Sequence, residues 1–90
     1  MAKERKIISI LGQPHILDIL ISLSKSPKRF SDLFEACPNE GTRTTKLRIL
    51  KELGLIEATS IEVKKRSFVH YRLTDRGKKI LGEAVKMEKL

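Results

Sequence analysis

Cysteine and histidine are scarce in this sequence of 90 residues, which has one cysteine and two histidines. The single cysteine, Cys37, excludes an intrachain disulfide framework. His15 and His70 have no cluster of cysteines or carboxylates around them in the sequence, so we predict no metal and no cofactor. We expect both histidines to serve in packing or on the surface. Cys37, beside Leu33 and Phe34, is expected to fill core space rather than act in redox chemistry.

Residue patterns that support catalysis are also missing. The sequence contains no recognisable Ser-His-Asp arrangement, no phosphate-cradling glycine loop and no pair of acids suited to acid–base work. We therefore do not expect an enzyme.

Long apolar runs are absent as well. The longest apolar stretch, residues 7–23, is interrupted by Gly12, Gln13, Pro14 and Asp18, so it is too polar to span a bilayer. No signal-peptide cleavage pattern follows the basic start, and we expect a cytoplasmic protein. Asparagine and glutamine occur once each, which favours a thermophile as the source.

The feature present in excess is positive charge. Lysine and arginine number 19 against 11 acidic residues, which gives a net charge of +8. This balance predicts a polyanionic partner, either nucleic acid or an anionic membrane surface. The length fits a single domain covering residues 1–90.

Helical periodicity dominates the first half of the chain. Pro14 suits the first turn of a helix whose apolar residues recur between Ile16 and Leu23. A second short helix is predicted to start after Ser31 and to stop at Pro38. Asn39 is a good N-cap for a third helix over residues 40–53, which Gly54 is placed to end.

The second half begins with a change to β-forming residues. Residues 55–63 and 68–73 predict a β-hairpin, with the polar tip at residues 64–67. Thr74 can cap a last helix. The sequence therefore predicts a fold that is mainly α with a small β-hairpin. Its order is α-α-α-β-β-α after a short apolar N-terminal extension, which is the order of a winged helix-turn-helix.

Three stretches carry a resemblance to a known family: residues 11–33, especially 26–33 (SPKRFSDL), residues 47–56 (LRILKELGLI) and residues 71–77 (YRLTDRG). They resemble the HxlR group of bacterial and archaeal regulators, related to the MarR and ArsR winged-helix proteins. The resemblance covers about residues 7–82 and implies a sequence-specific regulator of transcription that binds double-stranded DNA, usually as a homodimer. Two positions depart from the group's pattern. Arg43 stands where an aliphatic residue is usual, and Cys37 stands at a position that is otherwise an apolar core residue.

The resemblance places the third helix, about residues 40–53, in the major groove as the recognition helix. Its candidate DNA contacts are Thr42, Arg43, Thr44, Thr45, Lys46 and Arg48. Arginine makes bidentate contacts to guanine, and threonine meets a phosphate, a base edge or a thymine methyl. The alternative is that these threonine and arginine residues only solvate an exposed helix surface and contact no partner.

Positive charge is concentrated around the hairpin, which we call the wing. Seven cations and one acid lie between Lys64 and Lys79. The wing, about residues 61–72, is expected to lie on the DNA backbone or in the minor groove. Its candidate contacts are Lys64, Lys65 and Arg66, with Lys28 and Arg29 as weaker ones.

Two apolar segments predict a dimer interface, as terminal helices do in the families that the chain resembles. They comprise Ile7, Ile8, Ile10 and Leu11 near the start, and Ile80, Leu81, Ala84 and Val85 in the last helix, with Leu90 beyond. The alternative is that both segments complete the core of a single chain. Ile49 falls near the exposed side of the third helix and has no explanation from the pattern.

Two other functions stay open. One is a weakly specific, chromatin-like DNA-binding protein, and the other is a winged helix that binds protein partners in a transcription assembly. The basic wing argues against the second of these.

Overall fold

The computed structural model describes the backbone of residues 2–88 and the side chains of residues 7–86, so Leu90 lies outside the described residues. This part of the chain contains four α-helices, one 3₁₀ turn and one antiparallel hairpin. Their bounds are α1 Ala2–Leu11, α2 Ile16–Lys25, the 3₁₀ turn Ser31–Leu33, α3 Glu40–Glu52, β1 Ile56–Val63, β2 Arg66–Leu73 and α4 Asp75–Glu88. The predicted winged helix-turn-helix is confirmed.

The apolar N-terminal segment is a helix, α1, rather than an extension. Between α1 and α2 the chain turns through residues 12–15, and His15 takes a left-handed conformation with φ 71°. Pro14 lies in this turn, not in the first turn of α2 as predicted. His15 shares a hydrogen bond of 3.1 Å between its Nδ1 and the carbonyl oxygen of Ala36. The histidine therefore ties this turn to the segment that leads into α3.

The predicted second helix is only a 3₁₀ turn. The backbone amides of Asp32, Leu33 and Phe34 each donate to the carbonyl three residues earlier. These bonds wind the chain more tightly than an α-helix does, and such geometry rarely extends beyond one turn. The turn buries Leu33 completely and leaves Phe34 exposed, so it anchors the segment through one side chain.

The wing has a shorter tip than predicted. β1 and β2 pair antiparallel from Ile56↔Leu73 to Val63↔Arg66, so Arg66 and Ser67 belong to β2 and not to the tip. Only Lys64 and Lys65 form the turn, with φ 51° and 68°. Positive φ at both central residues is the geometry of a type I′ turn, whose twist matches the twist of the two strands.

The loop after α2 adds one residue to this small sheet. The Lys28 amide donates to the Tyr71 carbonyl at 3.0 Å, and the Tyr71 amide donates to the Lys28 carbonyl at 2.7 Å. This bridge anchors the base of the wing to the segment that precedes the 3₁₀ turn.

The core collects side chains from α2, α3, the base of the wing and α4. Its fully buried members include Ile16, Ile19, Leu20, Leu33, Cys37, Leu50 and Leu55. The prediction that Cys37 fills core space is confirmed. Ile49 is partly buried against this cluster, which explains an apolar residue on that side of α3.

Burial also corrects part of the predicted dimer interface. Ile7, Ile10 and Leu81 are buried within this single chain, so their side chains are not free to meet a partner. Leu11, Ile80 and Val85 are partly buried against the core, and Ala84 is half-buried. Among the members of the set that the structure describes, Ile8 is the one that is mostly exposed, at 70%.

Of the helices that the structure describes, none combines the length and the apolar character needed to cross a membrane.

Candidate nucleic-acid interface

Helix α3 starts with a side-chain cap. Asn39 is extended, at φ −80° and ψ 120°, and its side-chain oxygen accepts a 2.8 Å hydrogen bond from the Thr42 amide. This bond satisfies one of the amides that the first helical turn leaves without a partner. The predicted bounds of the third helix are confirmed to within one residue.

Thr44, Thr45 and Arg48 lie on the exposed side of α3. The Thr44 hydroxyl donates to the Glu40 carbonyl at 2.9 Å, and the Thr45 hydroxyl donates to the Gly41 carbonyl at 3.0 Å. A hydroxyl has one proton and two lone pairs. Because each proton is used within the helix, the two threonines offer a partner their lone pairs and methyl groups.

Lys51 extends this exposed side by one more turn, and the sequence interpretation missed it. It lines an open groove between α3 and the base of the wing, together with Phe30, Thr44, Arg48 and Tyr71. Positions 44, 48 and 51 repeat at intervals of four and three residues, which place side chains on the same side of a helix. Because this spacing can be seen in the sequence, Lys51 could have been predicted as a member of the exposed side of α3.

The three candidate cations of the wing, Lys64, Lys65 and Arg66, are all exposed to solvent. The only ion pair among the described side chains joins Arg72 and Glu57, at 2.6 Å, near the base of the hairpin. None of these three cations therefore forms an ion pair with a carboxylate of the described part of the chain.

The two weaker candidates have structural contacts of their own. The Arg29 guanidinium lies over the Phe68 ring, 4.3 Å from its centre, and holds the wing against the loop after α2. Lys28 is half-buried and joins β2 through its backbone.

Arg43 corrects the list of predicted contacts, because its side chain is only 2% exposed. Its Nε donates to the Cys37 carbonyl at 2.8 Å, Nη1 to the Phe30 carbonyl at 3.1 Å and Nη2 to the Pro38 carbonyl at 3.2 Å. The guanidinium also lies 4.6 Å from the centre of the Phe30 ring. Arg43 packs inside the protein, so we remove it from the candidate DNA contacts.

Lys46 and Thr42 lie beside the exposed side of α3, not on it, and both are half-buried. The Lys46 ammonium donates to the Gln13 side-chain oxygen at 2.6 Å. This bond joins α3 to the turn between α1 and α2, which weakens Lys46 as a candidate contact.

Comparison with known proteins agrees with this fold. The sequence model of the HxlR-like helix-turn-helix family matches residues 10–90. The chain belongs to this family. No relative among curated protein sequences matches it.

Solved structures show the same fold as this HxlR-like chain. The reduced form of the transcriptional regulator YodB from B. subtilis is 23% identical, with a TM-score of 0.85 over 99% of this chain and 88% of that one. The protein ytfH from Salmonella typhimurium is 23% identical, with a TM-score of 0.77 over 96% of this chain and 78% of that one. TA0346 from Thermoplasma acidophilum is 28% identical, with a TM-score of 0.62 over 83% and 82%.

In this HxlR-like chain the structure brings together only some of the predicted DNA contacts. Thr44, Thr45 and Arg48 share the open side of α3, and the three candidate cations of the wing, Lys64, Lys65 and Arg66, are all exposed. The histidines lie elsewhere: His15 binds the Ala36 carbonyl, and His70 lies 3.0 Å from the Phe68 carbonyl through Nδ1. No group of three or more potential metal ligands occurs among the described residues.

Proposed function

We propose that this chain binds double-stranded DNA and regulates transcription, with α3 in the major groove and the wing tip on the phosphate backbone. The observation that carries the proposal is the exposed side of α3. Thr44 and Arg48 line a groove with Tyr71 of the wing, and the exposed cations of the wing form no ion pair with a described carboxylate. Membership of the HxlR-like helix-turn-helix family supports the same conclusion.

The chemistry of the exposed side of α3 supports recognition of base edges. Arg48 supplies a fork of donors that matches O6 and N7 of guanine. Thr44 and Thr45 accept from a base amino group or contact a thymine methyl, since their protons are bound within the helix. We assign base contacts to these three residues.

The conformation of the wing tip supports a functional role for its lysines. Left-handed backbone costs a residue with a side chain about 1–2 kcal/mol, and a type I′ turn favours Asn-Gly. Lys64 and Lys65 occupy both left-handed positions. Two lysines are a poor choice for stability here and a good choice for binding phosphate, so we assign them backbone contacts together with Arg66.

A homodimer completes the proposal. A symmetric pair would place two copies of α3 on two half-sites, which enlarges a small footprint on DNA. The support in this chain is Ile8, an isoleucine on α1 that is mostly exposed, with Ile80 and Val85 only partly buried on α4. We propose that α1 and α4 form the interface.

The test is selection of binding sites from random duplexes, followed by salt titration of three charge-removing variants on the selected site and on random DNA. Arg48→Met should weaken binding to the selected site far more than binding to random DNA. Lys65→Met should weaken both equally and reduce the salt dependence by about one unit. Lys25→Met, which removes an exposed cation of α2 outside the proposed DNA contacts and the proposed dimer interface, serves as the matched control and should change neither.

Failure to bind any duplex at low salt would contradict the proposal. Binding without a preferred site would instead favour the weakly specific, chromatin-like alternative.

A further inference from the structure

The segment between α2 and α3 is held in place partly by hydrogen bonds to its backbone. Outside the 3₁₀ turn, the Cys37 amide donates to the Leu33 carbonyl at 2.9 Å, and the Ala36 carbonyl bonds to His15. The carbonyls of Cys37 and Pro38 point away from any helix ladder and meet the guanidinium of Arg43. Beside the Asn39 cap and the buried side chains of Leu33 and Cys37, the three side-chain bonds of Arg43 link this segment to α3.

Arg43 also reaches the wing, through Phe30. The Phe30 carbonyl accepts from Nη1, and the Phe30 ring lies against the guanidinium. Phe30 is two residues from Lys28, whose backbone pairs with Tyr71 of β2. A continuous set of contacts therefore runs from the start of α3 through Arg43 and Phe30 to the base of the wing.

The geometry of this contact needs arginine. Three nitrogens of one rigid plane serve three carbonyls that lie in different directions. An ammonium group is a single point at the end of a flexible chain and cannot reproduce that fork. An aliphatic side chain would leave the buried Cys37 carbonyl, and the partly buried carbonyls of Phe30 and Pro38, without these donors.

Given the function proposed above, on which this role depends, we propose that Arg43 is a positioning residue. It fixes the recognition helix relative to the wing. It touches no DNA itself. The fork holds the first two turns of α3 in one rotation about the helix axis, so that Thr44 and Arg48 stand at a set distance from the wing tip. Both DNA-contacting surfaces then fit one duplex together.

The test compares Arg43→Lys and Arg43→Met with Leu20→Ala, a core substitution in α2 that destabilises the fold without touching the fork. All three are measured at a temperature where circular dichroism shows them folded. Both Arg43 variants should lose about tenfold or more in preference for the selected site over random DNA, roughly the value of one good bidentate base contact. Their salt dependence on random DNA should not change, and Leu20→Ala should keep the preference.

Amide hydrogen exchange gives a second measurement that needs no DNA. In Arg43→Met, exchange should accelerate at Cys37 and also at Lys28 and Tyr71, whose amides bridge the loop and the wing. Faster exchange at Cys37 alone would overturn the proposal, because Arg43 would then support only its own loop. So would an unchanged preference in both Arg43 variants, or a fall of about one unit in salt dependence, which would make Arg43 a phosphate contact. If the parent protein binds no duplex, the proposed function fails, and the exchange at Lys28 and Tyr71 alone decides whether Arg43 couples α3 to the wing.

Discussion

Gly77 lies directly against the backbone of Leu55. A β-carbon added to Gly77 would overlap the Leu55 carbonyl oxygen and stand 3.0 Å from its carbonyl carbon. The same carbonyl accepts a 3.1 Å hydrogen bond from the Thr74 amide, so the start of α4 is docked on the chain just before β1. Glycine at position 77 is therefore required by the close approach of two backbones.

Gly77→Ala should destabilise the protein by about 2–4 kcal/mol, because rigid backbone atoms must move to admit the methyl group. Gly82→Ala, in the same helix, is the matched control. Nothing lies within 4 Å of its added β-carbon, so it should stabilise the helix by about 0.5–1 kcal/mol. Urea unfolding followed by circular dichroism measures both, and equal effects of the two substitutions would contradict the close approach.

Much of the fold could be predicted from the sequence because its signals are local. Asn39 and Thr74 are good caps, and both cap helices in the structure. The number of residues in the turn at the wing tip could not be predicted from such local signals. A two-residue type I′ turn is expected from Asn-Gly, and Lys64-Lys65 gives no such indication.

The candidate site was harder to predict, because exposure is decided by tertiary contacts. Arg43 and Arg48 were both predicted as contacts, yet one is buried and the other exposed. The four-residue spacing of Arg43 from the buried Leu47, and the aliphatic residue usual at its position, already pointed to the core side of α3. The sequence did not reveal the set of carbonyls around Cys37 that the fold brings next to Arg43. Lys46 was also predicted as a contact from its place in the third helix. Its bond to Gln13 joins residues 33 positions apart, which the sequence pattern does not indicate.

Thr74 connects the end of α3 to the start of α4. Its hydroxyl donates to the Gly54 carbonyl at 2.6 Å and accepts from the Gly77 amide at 3.0 Å. Thr74→Ala should cost about 1–2 kcal/mol, since it removes a helix cap and leaves a carbonyl without its donor. Thr74→Ser retains both bonds and should cost much less. Thermal unfolding distinguishes them, and equal losses would show that the methyl group matters and the hydroxyl does not.

The wing tip should show a conflict between stability and binding. Replacing Lys64-Lys65 by Asn-Gly suits both left-handed positions and should stabilise the protein by about 1 kcal/mol. The same double variant should bind DNA more weakly, with a salt dependence lower by about two units. Chemical unfolding and salt titration measure the two effects on one sample. Unchanged salt dependence would remove both lysines from the proposed interface.

A substitution of Asn39, at the start of α3, should also raise stability while weakening DNA binding. Asn39→Asp keeps an oxygen for the Thr42 amide and adds negative charge at a helix N-terminus, which should stabilise the protein by about 0.3–1 kcal/mol. If the start of α3 faces DNA, the new carboxylate should weaken binding by about fivefold at low salt, from a repulsion of about 1 kcal/mol at 4 Å. Asn39→Ala is the control, because it loses the cap without adding charge. Equal DNA affinity of the Asp and Ala variants at matched folding would place the phosphates away from this end of the helix.

The exposed isoleucine of α1 provides the test of the proposed dimer. Ile8→Glu should convert the protein to a single chain of 10.3 kDa, because a charge buried between two subunits opposes their association. Ile21→Glu places the same charge on α2, where Ile21 is 39% exposed and outside the proposed interface, and should leave the association intact. Sedimentation equilibrium measures both. A parent protein that already sediments as one chain, or an Ile8→Glu variant that still associates like the parent, would rule out α1 as the interface. On a duplex with two half-sites, the dissociated variant should occupy the halves independently.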